Sequence, residues 1–280
     1  DGGAPAAAAG DVPVREARQS AAAGEADDVM RHACHVPLDR VRVSSADGDR
    51  CYPAGAAALA DLHWDAAAAA EPGLRDGPVW SVVSCAGQQD AGAEVVRIAL
   101  QRSTYKFLLY THFSDEGELM AADARCNACC LTVALETSDG QLVLGKAEGS
   151  FLWRTVPATC LVDSSDLGGL LRRALTGAGF GGERADGMAR SATLLACVDW
   201  GAEAPDGFRH ELVVSVRASS PAAELPAECG AGSELWFVPR AEASAPVAPG
   251  AEKRPLARSA AAALRLAAGA AAASAPPPSA

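Results

Sequence analysis

Between Leu142 and Phe180 the spacing of the apolar residues changes period, and the stretch reads as a strand, a loop, a second strand, an acidic loop and a short capped helix in series. Val143 and Leu144 close an apolar run behind the turn signal Ser138-Asp139-Gly140, and Trp153, Val156 and Pro157 lead into a loop carrying Asp163 and Asp166. From Leu167 onward, Leu167, Leu170, Leu171, Leu175 and Ala178 recur at helical spacing. Asp166 stands at the N-cap position and Gly179 at the C-terminal stop.

The same reasoning applied along the chain yields strands over Val79 to Ser84, Glu94 to Gln101, Phe107 to Thr111, Leu131 to Glu136 and Leu142 to Lys146. Further strands are predicted for Thr193 to Val198, Leu212 to Val216 and Leu235 to Val238, and a first strand and turn between Pro37 and Tyr52. Ala54 to Ala70 suits a helix, with Leu59, Leu62 and Trp64 among its alanines. Many strands with two or three helices between them define a mixed α+β or sandwich-like domain.

Length and composition set the boundaries of that domain. At 280 residues and 49% hydrophobic content the chain can bury a sizeable core, although alanine at the two ends inflates the figure. Residues 1–35 are expected to be a disordered lead-in, 36–240 the folded domain, and 241–280 a disordered, low-complexity Ala/Pro-rich tail. A net charge of −11 speaks against non-specific binding to nucleic acid or an anionic membrane surface. No run approaches the roughly 20 apolar residues of a membrane-spanning helix. Nine irregularly spaced cysteines do not make a secreted disulfide framework, so a cytoplasmic or other reducing intracellular compartment is expected. The first residue is not Met, which fits a fragment or a processed form.

The segment ending LRRALTGAGF resembles the box of the Nudix hydrolases, G-x5-E-x7-R-E-U-x-E-E-x-G-U with U aliphatic. Counting back from Gly179 and Phe180 places Arg172 at the box arginine, and puts Ala158, Ser164, Arg173, Thr176 and Gly177 where the family has glycine and four glutamates. A register one residue later puts Arg173 at the arginine and Ala174, Gly177 and Ala178 at glutamates. Neither register keeps a helix carboxylate. Pro72, Leu74, Asp76, Gly77 and Val79 match the turn before the core in the UDP-glucose- and UDP-galactose-hydrolysing subgroup. Ser103, Tyr105, Lys106 and Thr111 match a second segment of that subgroup, and the stretches His210 to Ser220 and Glu234 to Arg240 match its late strands.

The resemblance implies a Nudix-type α/β/α sandwich with a mixed sheet, and Mg2+-dependent hydrolysis of a nucleoside diphosphate sugar, UDP-sugar giving UMP and sugar 1-phosphate. In the family, helix glutamates hold magnesium ions that bridge diphosphate oxygens and activate a water. With those glutamates replaced, a catalytic reading draws its metal ligands from Asp163, Asp166 and Glu183, with Asp186 as a further acid nearby. Arg172 joins Asp163 and Asp166 as the catalytic set, and Arg154, Lys146 and Tyr105 are the candidate substrate-binding residues. The alternative is a catalytically silent Nudix-fold module that binds a nucleotide or a protein partner.

Other chemistry has weaker support. Cys126-Asn127-Ala128-Cys129-Cys130 contains a C-x-x-C, but no second pair stands at zinc-site spacing, and Cys129 and Cys130 run straight into the strand LTVAL as core residues do. No G-x-S-x-G turn accompanies a nucleophile. The glycine-rich GAGFGGE follows a helix where a phosphate loop would precede one, which marks it as a C-cap and loop.

Overall fold

The computed structural model of the chain describes residues 30–90, 92–121, 124–147, 153–200, 208–225, 233–243 and 256–274. Its centre is β5 (Ala128–Glu136), in which every residue is buried. A strand covered on both faces needs an almost continuous run of small or apolar side chains, and ACCLTVALE supplies one. Beside it lie β10 (Phe208–Arg217), parallel to it, and β6 (Gln141–Ala147), antiparallel to it. With β1 (Met30–Pro37), β9 (Thr193–Asp199) and β11 (Ser233–Pro239) the order is β1-β9-β10-β5-β6-β11. The two-residue strands β7 (Arg154–Thr155) and β8 (Cys160–Leu161) pair with β6 and β5, giving a mixed sheet of eight strands. A second sheet has three strands, β2 (Val41–Asp49), β4 (Ala93–Thr104) and β3 (Pro78–Asp90), in the order β2-β4-β3.

The helices are α1 (Ala56–Ala70), α2 (Tyr105–Phe113), the single-turn α3 (Asp115–Glu118), α4 (Leu167–Gly177), α5 (Gly182–Arg190) and α6 (Arg258–Ser274). The mixed α+β class is therefore the one the alternating patterns predict. Alternation along β5 and β10 divides the interior in two. Leu131, Val133 and Leu135, with Leu212, Val214 and Val216, meet Leu170, Leu171 and Leu175 of α4, Met188 of α5, and Val96, Ile98 and Leu100 of β4. On the opposite face Ala134, Val213, Leu142 and Leu144 are covered by Ala260, Ala263, Leu264 and Ala267 of α6.

That second core corrects the expected tail. Residues 258–274, inside the stretch expected to be disordered, form a helix whose alanines lie close against the sheet. At the other end, residues 30–35 of the expected lead-in belong to β1, where Cys34 is buried. Residues 1–29 lie outside the described residues, as do 244–255 and 275–280.

Local capping is as the sequence predicts around α4. The Asp166 carboxylate accepts the Gly169 amide at 2.8 Å, and Gly179 takes a left-handed φ of 100° while the Phe180 amide returns to the Leu175 carbonyl. Two other segments differ. Phe107 to Thr111, expected as a strand, belongs to α2, whose Leu108, Tyr110 and Thr111 are buried; a short apolar run fits either period, and packing against α1 decides it. The stretch after Phe180, expected to be loop, turns into α5 because Ala185 and Met188 find a place in the core.

Candidate functional site

Two clefts flank the N-terminal end of α4. The larger, of about 670 Å³, lies between this end, β2 and α5, and its wall includes Asp39, Asp166, Gly168, Gly169, Arg172, Asp186 and Arg190. The smaller, of about 410 Å³, lies between the loop before α4, β2 and the paired strands β3 and β4, with Asp49, Trp80, Arg102 and Asp163 in its wall. Ser165 belongs to both, so the clefts meet at the loop before the helix.

Several polar side chains here are already engaged. Arg173 Nη2 donates to Asp163 Oδ1 at 2.6 Å, with both side chains about half exposed, so the pair is well solvated. Arg172 reaches from α4 to Asp186 of α5, with Nη1 3.4 Å from Oδ1. Asp166 is turned back onto the Gly169 amide as the helix cap. Arg190, at the end of α5, makes no ion pair among the described residues and is the unneutralised cation of the larger cleft. Cys160, just before this loop, has its thiol pushed up to about 11, mainly by burial and then by the Asp163 charge, so it is an inert thiol.

The predicted site residues are thus brought together in part. Arg172 and Asp166 share the larger cleft, whereas Asp163 lies in the smaller one. Glu183 is exposed in the first turn of α5 and lines neither cleft. The three acids expected to hold Mg2+ therefore do not converge. One carboxylate caps a helix, one is paired with Arg173, and one stands on a different helix. Among the described residues no group of three or more His, Cys, Asp or Glu side chains is arranged to hold a metal ion, so the acids named for magnesium do not fit it.

The expected substrate-binding residues stand apart from both clefts. Lys146 shares the sheet face of Leu142 and Leu144, pairs with Glu234 at 3.0 Å and lies 5.4 Å from the Trp153 ring centroid. Arg154 is in β7 opposite Gly145. Tyr105 opens α2 and meets Trp64 edge to face, and burial raises its hydroxyl above the usual value. The residues missed in the sequence are Asp39, Trp80, Arg102 and Arg190. The signal that was available was the pair Gly168-Gly169 in the first turn of α4, two positions after the capping Asp166.

The cysteines Cys126, Cys129 and Cys130 are free and buried, as the core reading expects. No helix among the described residues is long and apolar enough to cross a membrane. No protein-family model matches the chain, and no curated protein matches it.

Proposed function

We propose that the chain is a Nudix-like module that binds a nucleoside diphosphate sugar across the two clefts, without the family's metal-dependent hydrolysis. The observation that carries this reading is the meeting of the clefts at Ser165, with Arg172 and Arg190 on one side and Trp80 and Arg102 on the other. A diphosphate calls for guanidinium groups, and the larger cleft has Arg172 and Arg190 in its wall. A base or sugar calls for an aromatic wall with a polar rim, and Trp80 beside Arg102, Asp49 and Asp163 supplies one. The separation of Asp163 from Asp166 supports binding over hydrolysis, because two-metal or metal–water chemistry at a diphosphate needs its carboxylates on one centre.

Calorimetric titration of UDP-glucose into the protein, with and without Mg2+, tests the reading. Binding that Arg172→Ala and Arg102→Ala each weaken by about tenfold, about 1.4 kcal/mol, is the expected result. Absence of binding, or binding that neither substitution alters, sinks it. Release of UMP in the presence of Mg2+ would replace it with the hydrolase.

A further inference from the structure

The three-stranded sheet ends on β3, and no strand of the described residues pairs with its outer edge. β3 is 13 residues long, and beyond Val82 every residue of it except Cys85 is exposed.

The register tells which backbone groups that edge presents. In an antiparallel ladder, residues that bond the partner strand alternate with residues that turn N–H and C=O outward. Trp80 donates its N–H to the Val162 carbonyl at 3.2 Å, away from β4, so it belongs to the outward set. Val82 pairs with Leu100 and Ser84 with Ala99, so Val83 is an extra residue, 58% exposed. This bulge shifts the alternation by one, and beyond it the outward set is Cys85, Gly87 and Gln89. The far end of the hairpin gives the same answer: Asp90 pairs with Ala93 across a two-residue connection, which makes that pair a bonded one and Gln89 an outward residue. Among the described residues the Trp80 bond is the one backbone hydrogen bond on this edge, so Cys85, Gly87 and Gln89 offer a row of donors and acceptors at strand spacing.

Such an edge is ordinarily guarded by charge or proline. The strands at the other sheet ends carry both or one of these: Arg31 and Pro37 in β1, Arg42 and Asp49 in β2, Glu234 and Pro239 in β11. From Val79 to Gln89, VWSVVSCAGQQ, β3 has neither, in a chain of net charge −11. Cys85, Gly87 and Gln89 line neither cleft, so ligand binding there does not account for the open edge.

We propose that the edge of β3 pairs antiparallel with the same edge of a second copy of the chain, joining two three-stranded sheets into one of six strands. The edge is self-complementary about Gly87. With Gly87 opposite its own counterpart on the two-fold axis, Cys85 meets the second copy's Gln89 and Gln89 meets its Cys85, so every outward residue faces an outward residue. Each of these pairs exchanges two hydrogen bonds. Ala86 then faces Gln88 of the second copy, and no charge opposes a charge. The two Asp90 carboxylates stand about six residues apart along the ladder, roughly 20 Å, against a Debye length of about 8 Å at physiological salt, so the acidic total does not oppose contact here. An unrelated strand carries no such built-in registration, and the match selects a second copy as the occupant.

Sedimentation velocity of the full chain over about a hundredfold range of concentration is the test. A concentration-dependent shift toward twice the 28.4 kDa of the chain is expected. Ala86→Glu with Gln88→Glu sets like charges opposite each other and is expected to weaken self-association by about tenfold or more. Mixing that variant with Ala86→Lys, Gln88→Lys is expected to give a mixed dimer, which requires both to be folded and the two positions to face each other. Leu62→Glu with Leu119→Glu adds the same charge at exposed positions elsewhere and should leave the dimer intact. A monomer mass throughout overturns the proposal, whether or not the edge takes up a strand-forming peptide instead. So does a dimer that the β3 glutamates leave intact, one that Leu62→Glu with Leu119→Glu weakens equally, or a failure of the glutamate and lysine variants to associate when mixed.

Discussion

Arg240 donates from Nη1 to Glu136 Oε2 at 2.8 Å, and from Nε and Nη2 to the Ala267 carbonyl, tying the end of β5 to α6. The Glu136 side chain is only 9% exposed, so this ion pair is nearly buried on the carboxylate side. Arg240→Ala leaves a nearly buried carboxylate unpaired and frees the helix carbonyl, for an expected loss of about 3 kcal/mol in urea denaturation. Arg240→Lys keeps the charge without the fork that reaches both acceptors, and is expected to recover part of the loss.

Asp166 and Gly169 are coupled through the cap. Asp166→Ala removes the acceptor of the Gly169 amide and is expected to cost about 1 kcal/mol. A Cβ on Gly169 would collide with the Asp166 carboxylate, so Gly169→Ala alone destabilises despite the higher helix propensity of alanine. With Asp166→Ala already in place the same change is expected to stabilise by up to about 1 kcal/mol. A double-mutant cycle in denaturant measures the reversal of sign; simple additivity would refute it.

The leucine face of α4 should dominate the stability of the site's scaffold. Leu175 is fully buried, and Leu175→Ala is expected to cost about 2–5 kcal/mol. Leu119, 87% exposed, is the comparison, and Leu119→Ala should change stability by less than about 0.5 kcal/mol. Thermal unfolding of the two variants side by side distinguishes them.

Asp139 sets an acid limit on the β5–β6 turn. Hydrogen bonding from Thr137 holds its carboxyl below the ordinary value of 3.8, with the Ala222 amide and Gln141 side chain adding to it. A folded value below the unfolded one contributes stability above about pH 3.8, and that stability is lost as the pH falls through this value toward the folded one. Asp139→Asn is therefore expected to flatten the dependence of Tm on pH on the acid side, while leaving its shape at neutral pH unchanged.

The site was legible in the sequence where its chemistry is local. Asp166, the leucines behind it and Gly179 specify α4 through contacts a few residues apart, whereas Arg172 was named only through the resemblance of LRRALTGAGF to a family box. Phe107 to Thr111 shows the converse: its run of apolar residues suits a strand or a helix, and contact with α1, far back in the chain, selects the helix. The clefts were legible only in part, since Asp39, Trp80, Arg102 and Arg190 come from four elements whose proximity no spacing encodes.

What the sequence determined by itself was the period of each strongly patterned segment, the caps of α4 and the mixed α+β class, because these depend on backbone sterics and near-neighbour hydrogen bonds. Tertiary structure decided the rest. Alanines from 258 to 274 become a core layer because a sheet face lies opposite them, and Asp163 and Asp166, three positions apart, open into different clefts because one pairs with Arg173 and the other turns back to cap the helix. The bulges at Val83 and Leu195 act in the same way: one added residue inverts the alternation, and only the partner strand shows where it falls.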